Sequence, residues 1–172
     1  MRFLSVHKTS SYLVVATSML AVFLPGELNP IISALTFICL ALSWFWEEPR
    51  FDPARYSTAW NIITVLALAK SVVSLLLGES VLVTGIYFIL FLSINRLFNR
   101  TSSLDYLQLY VLSLLQMIAA TALSTDLTYG FVFLFYIVFS TWSLILFHLK
   151  REMEDNYLLK YGDTVHGKPV QI

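Results

Sequence analysis

The chain has 172 residues, of which 58% are hydrophobic and 13% charged, and it carries 13 Phe, 9 Tyr and 4 Trp. A soluble domain of this length carries about a quarter charged residues, so the composition argues against a water-soluble fold and for burial in lipid. The formal net charge is zero, so no global field points to nucleic acid or to an acidic partner.

Spanning a bilayer takes about 20 mostly apolar residues, with roughly 17 still adequate. The N-terminus does not read as a signal peptide, because further apolar runs follow it in place of a mature soluble domain. The first predicted span covers residues 9–24 and ends at Pro25-Gly26, since proline cannot continue the hydrogen-bond ladder and glycine suits a turn. The second covers residues 30–46. It opens on proline at a tolerated first-turn position and closes on Trp44-Phe45-Trp46, an aromatic cluster suited to the lipid–water boundary. Residues 47–55 (EEPRFDPAR) read as a polar loop in which carboxylates and arginines neutralise one another.

The third span is expected over residues 58–77, interrupted by Lys70, with Gly78-Glu79-Ser80 as a minimal turn. The fourth covers residues 81–98 and has a polar end at Asn95 and Arg96. Ser102 or Ser103 is a good N-cap for the fifth, residues 104–123. After Ser124-Thr125-Asp126 the sixth runs over residues 127–149. Residues 150–172 follow as a charged helical extension and tail on the cytoplasmic side, with Gly162 as its expected stop. The reading is an all-α, polytopic integral membrane bundle of six transmembrane helices, built as three antiparallel hairpins. No loop is long enough to hold a soluble domain.

Orientation follows from the basic residues. Arg2, Lys8, Arg50, Arg55, Arg96, Arg100, Lys150, Arg151, Lys160 and Lys168 fall on one side, ten of the eleven Lys and Arg, and Lys70 lies within a span. Under the positive-inside rule both termini are cytoplasmic. The opposite face keeps Glu27, Glu79 and Asp126 as its charges. Asn99-Arg100-Thr101 matches a glycosylation sequon, but it falls on the expected cytoplasmic side and is read as accidental.

Few residues suggest chemistry. Lys70 near the middle of a span costs about 2.5–3.5 kcal/mol on insertion scales. It reads either as a transport or proton-relay residue or an anchor for an anionic lipid group, or as a structural lysine. In the structural case it pairs inside the bundle with Asn61, Ser74 or Gln116, or snorkels toward Glu79. Gln108 and Gln116 are eight residues apart and are expected to share a helical face with Ser113 nearby, serving interhelical hydrogen bonding or, as the lesser reading, a substrate path. Ala67, Ser71, Ser74 and Gly78 give span three a small-residue edge suited to close packing. Arg96, Arg100 and Asp105 mark a polar joint between spans four and five.

Catalytic, cofactor-binding and metal-binding residues are not recognised. His7 and His166 lie in expected terminal segments and His148 at a span end, without metal-ligand spacing. Cys39, the one cysteine, reads as a packed hydrophobe. Phosphate-cradling glycine loops and nucleophile elbows are missing from the sequence.

Residues 95–152 carry a basic span end at Arg96, an Asp-Tyr-x-Gln-Leu-Tyr opening from Asp105, a Ser/Thr turn, and an apolar span closing in His-Leu-Lys-Arg-Glu. This stretch resembles the N-terminal membrane domain of bacterial transglutaminase-like membrane proteins of the TgpA type. The resemblance implies a helical bundle that anchors a papain-like Cys-His-Asp domain outside the cytoplasmic membrane, and so a protein of a cell inner membrane. No triad residue has a counterpart in these 172 residues. The expected partners are therefore the lipid bilayer and either a C-terminal domain of the same protein or other membrane proteins, with no nucleic acid. The ending at Lys168-Pro-Val-Gln-Ile favours the piece-of-a-longer-protein reading. A small transporter or lipid-handling protein using Lys70 is the alternative, and a bundle that assembles with partner membrane proteins is a third.

Overall fold

The structure, a computed structural model, describes residues 2–45, 53–99, 103–124 and 126–161. Among them are six α-helices and no strand: α1 (Arg2–Phe23), α2 (Pro30–Phe45), α3 (Pro53–Leu76), α4 (Val81–Phe98), α5 (Ser103–Leu123) and α6 (Leu127–Tyr161). The all-helical expectation therefore holds, and each expected span has a helix.

α1 and α3 start earlier than expected and end one residue short, and α6 runs longer. α1 begins seven residues before Thr9, at Arg2, because residues 2–8 contain no breaker; hydropathy ends a lipid span there, but helix formation needs only backbone bonds. α3 begins on Pro53, whose fixed φ and missing N–H suit the first helical turn, so Ala54 and Arg55 are helical and not part of a loop. Ser103 is already inside α5 and so is not its N-cap, while Ser102 lies outside the described residues. α6 runs unbroken past Leu149 to Tyr161, and Gly162 lies outside the described residues.

The turns after α1 and α3 are set by glycine. Gly26 and Gly78 have φ of 73° and 89°, in the left-handed region that costs glycine least. At Gly78 the backbone N–H reaches Leu75 O at 3.1 Å and that of Glu79 reaches Ser74 O at 3.1 Å, which is a Schellman close to α3.

Packing puts α1 at the centre, along both α5 and α6 and touching α2. α5 also packs on α4 and α6, α4 on α2 and α3, and α3 has α4 as its one substantial neighbour among the described residues. The core lies where these helices meet, around Val14, Val15, Met19, Val22, Ile86, Leu90, Leu109 and Met117.

The outer surface is the reverse of a soluble protein's. Ile31, Leu35 and Leu42 on α2, Val65 and Leu66 on α3, and Phe131, Leu134, Val138 and Trp142 on α6 are all exposed. Apolar faces this extensive mark a membrane or partner surface. Three helical segments, Val81–Phe98, Leu104–Leu123 and Leu127–Glu152, are long and apolar enough to cross a membrane, whereas Pro30–Phe45 and Trp60–Leu76 are apolar but shorter. α1 has the length, but His7, Lys8, Ser10, Ser11 and Ser18 dilute its apolar character. This is a membrane protein by the length and composition of those three helices.

Candidate functional site

The most polar part of the interior is a seam where α1 meets α5 and α6, joined by Ser93 of α4 through Gln116. On α1, His7, Ser11, Val14, Ser18 and Val22 recur at spacings of three and four residues and are all buried, so they form one helical face. On α5 the matching face carries Asp105, Leu109, Ser113, Gln116 and Ala120. Small and hydroxyl-bearing residues at these positions let two backbones approach closely, which is how helices associate where lipid supplies no hydrophobic drive.

Tyr110 is the hub at one end of the seam. Its Oη lies 2.7 Å from Ser11 Oγ, 3.4 Å from His7 Nε2, and accepts a hydrogen bond from Ser143 at 2.8 Å. Proton counting fixes the directions. Ser11 spends its one proton on His7 O at 2.8 Å, so Tyr110 donates to Ser11. The His7 ring is held edge-on to Tyr106 at 4.9 Å and stacked on Phe147 at 6.4 Å, and Lys150 Nζ lies 5.1 Å over the Tyr106 ring. Next along α5, Ser113 donates to Tyr110 O at 2.8 Å, and its Oγ lies 3.2 Å from Tyr136 Oη.

Gln116 lies one turn deeper. Ser18 shares its one proton between Gln116 Oε1 at 2.8 Å and Val15 O at 2.9 Å, and Gln116 Nε2 donates to Ser93 at 2.8 Å, so one amide ties α1, α4 and α5. A parallel tie joins α1, α2 and α4: Tyr12 lies 2.9 Å from Ser43, which donates to Leu97 O at 2.8 Å. Thr84 Oγ1 is the exception among the described buried side-chain atoms, with no partner.

One end of the bundle collects the charges. Lys8 Nζ donates to Trp44 O at 3.0 Å, meeting the last carbonyls of α2, and lies 5.0 Å over the Trp44 ring. Arg96 reaches the buried Asp105 at 3.3 Å, and Asp105 occupies the first turn of α5, where a negative charge meets the positive end of the helix dipole.

The residues singled out in the sequence are therefore split. Gln116 is buried in the seam, whereas Gln108 is exposed toward a cavity between α3, α4 and α5. The shared face expected for them fails because eight residues on a helix leave about 80° between side chains, enough to put them on different sides of α5. Arg96 and Asp105 come together, and Arg100 lies outside the described residues. Lys70 is exposed on α3, with no hydrogen bond or ion pair among the described residues. None of the interior partners considered for it serves, since Gln116 is committed to Ser18 and Ser93.

Of the expected small-residue edge, Ala67, Ser71 and Ser74 are half-buried, whereas Gly78 is exposed beyond the end of α3. Trp60 and Thr64 are half-buried as well. Asn95 donates to Thr64 at 2.7 Å and Phe98 stacks on Trp60 at 6.3 Å. Sequence reasoning missed His7, Ser11, Tyr110 and Ser143. The available signal was the period of three and four residues at 7, 11, 14 and 18, hidden by starting the helix at Thr9. Among the described residues no three His, Cys, Asp or Glu converge to hold a metal ion. Comparison of the chain with protein-family models, curated proteins and solved structures finds no match in any of the three.

Proposed function

We propose that the chain is a six-span anchoring and positioning bundle, with both ends on the cytoplasmic side of a cell inner membrane. The observation that carries this reading is the self-sufficiency of the seam. Gln116, Tyr110, Ser43 and Ser113 each bond across helices, which ties the bundle together with its apolar surface outward. A carrier needs binding groups that are open to cargo in some state; here the polar groups of the seam bond to one another, and Thr84 on α4 is the exception among the described buried side chains. α1, α2 and α3 fall short of a free-standing span for reasons compatible with the proposal. α1 is enclosed by α5 and α6, and short helices are tolerated by local thinning or by packing. The charge asymmetry supports the orientation, with ten of the eleven Lys and Arg on one side. The resemblance over residues 95–152 supports a transglutaminase-like Cys-His-Asp domain as the unit held outside the membrane, in a part of the protein beyond these residues.

Cysteine labelling tests the arrangement. In a Cys39→Ser background, Asp126→Cys should react with a membrane-impermeant maleimide from outside, and Arg100→Cys only after permeabilisation. The reverse pattern sinks the proposed topology.

A second reading, assembly with partner membrane proteins, is favoured by α3. That helix has one substantial neighbour and turns Lys70 and an apolar face outward. Cross-linking from Leu66→Cys on that face to another membrane protein in intact cells would favour it, and its absence at all positions along α3 would remove it.

A further inference from the structure

The polar ends of α3, α4 and α5 surround a cavity of about 400 Å³, lined by Asn61, Asn95, Arg96, Asn99 and Gln108. Its other wall is apolar, with Leu92, Leu107 and Val111 leading along the helices toward the lipid-facing surface. We propose that this cavity binds the phosphate-bearing headgroup of an anionic phospholipid, with the acyl chains lying along Leu92 and Val111.

Three features point to that ligand. Arg96 spends one contact of 3.3 Å on Asp105, and its remaining N–H groups have no partner among the described residues. A single contact at one terminal nitrogen leaves the rest of the planar guanidinium available, and its fork of donors matches a phosphate. The side chains of Asn61, Asn99 and Gln108 also make no hydrogen bond among the described residues, although each lines the same cavity. Amide N–H groups left open beside a guanidinium suit phosphate and glycerol oxygens. Asn95, whose amide is committed to Thr64, fixes the wall between α3 and α4 and so holds the cavity open at a set width.

Position adds the third feature. The cavity sits at the end of the bundle that carries the Arg96–Asp105 pair, where polar side chains give way to apolar ones within a turn or two. A lipid presents the same order of groups. The larger cavity between α1 and α6, about 750 Å³, is lined chiefly by Val6, Leu13, Ile137 and Trp142 and offers no charged group, so it suits chains but cannot choose a headgroup.

The inference rests on the membrane reading proposed above, and a separate measurement tests it. The full chain is purified in mild detergent with equal phosphatidylglycerol and phosphatidylcholine, and retained lipid is counted by native mass spectrometry. Wild type should retain phosphatidylglycerol preferentially. Arg96→Gln should weaken retention about tenfold, as expected for loss of a charge-assisted contact. Because that change also removes the pair with Asp105, Gln108→Leu is the control for folding. It alters an exposed side chain that makes no hydrogen bond, leaves the pair intact, and should still weaken retention severalfold. Excess inorganic phosphate should not displace the lipid. Wild-type retention in both variants, or equal retention of the two lipids, overturns the proposal. Displacement by inorganic phosphate overturns the lipid assignment and makes the site one for a soluble phosphate. The cysteine-labelling pattern is unaffected by any of these outcomes, so the two failures can be told apart.

Discussion

α1 and α3 look alike as sequence, two apolar runs with polar interruptions, yet they occupy opposite places in the bundle. α1 carries His7, Ser10, Ser11 and Ser18 and is the central helix, with all four side chains buried. α3 carries Lys70 and is peripheral, and none of its described side chains is fully buried. The difference lies in how the polar residues are arranged around each helix. On α1 His7, Ser11 and Ser18 repeat on one face, where each meets a partner on α5. On α3 the half-buried small polar residues Thr64, Ser71 and Ser74 share an edge, and Lys70, the charge in its apolar stretch, is exposed. In lipid a buried polar group is favourable only when it is paired, so a polar stripe draws a helix inward, whereas an isolated lysine on an apolar face does not.

This contrast can be broken at three places. The largest effect is expected for Ser18→Leu. Ser18 is fully buried between α1 and α5, so a larger side chain overpacks the contact and also deprives Gln116 of a donor. A loss of about 3 kcal/mol is expected. It should be visible as a shift of the unfolding midpoint in an SDS titration, and an unshifted midpoint would show that α1 is not held as tightly as its burial implies.

Tyr110→Phe should cost less, about 1–2 kcal/mol, since it removes one hydroxyl while keeping the ring in place. The measurable consequence is specific. Ser11 and Ser143 lose their common partner, so a Ser143→Ala change added to Tyr110→Phe should cost little more than Tyr110→Phe alone. Fully additive losses would mean that the two hydroxyls do not act through Tyr110.

The smallest effect is expected for Lys70→Leu, which should leave stability within about 0.5 kcal/mol, because an exposed residue without contacts contributes little to the isolated bundle. A loss of several kcal/mol in the same titration would place Lys70 in an interaction within the fold. That outcome would erase the distinction between the two helices.

How much was legible in advance varies by feature. Glycine and proline punctuation located the helices because those residues act locally: Gly78 closes α3 through its own φ and two backbone bonds. Arg96 and Asp105 were legible as a joint because nine residues across a tight turn keep them near each other whatever the remaining helices do. His7 was not legible as a core residue. It is near the start of the chain, and its partner Tyr110 is more than a hundred residues away, so only packing could bring them together. The relation of Gln108 to Gln116 was misread for a different reason: a spacing of eight drifts around the helix, and the neighbours of α5 decide which side of that drift is interior.

The sequence by itself determined that the chain is helical, that it carries more apolar surface than water tolerates, and that its basic residues cluster at alternate turns. These properties depend on backbone propensity, composition and residues close together in the chain. The tertiary structure alone decided that α1 is central and α3 peripheral, that Tyr110 joins three elements, and that Arg96 borders a polar cavity with unpaired amides. Those facts depend on which helix faces which. Apolar helices in lipid are nearly interchangeable neighbours, and the small polar groups at their contacts choose among the arrangements only once several helices are in place.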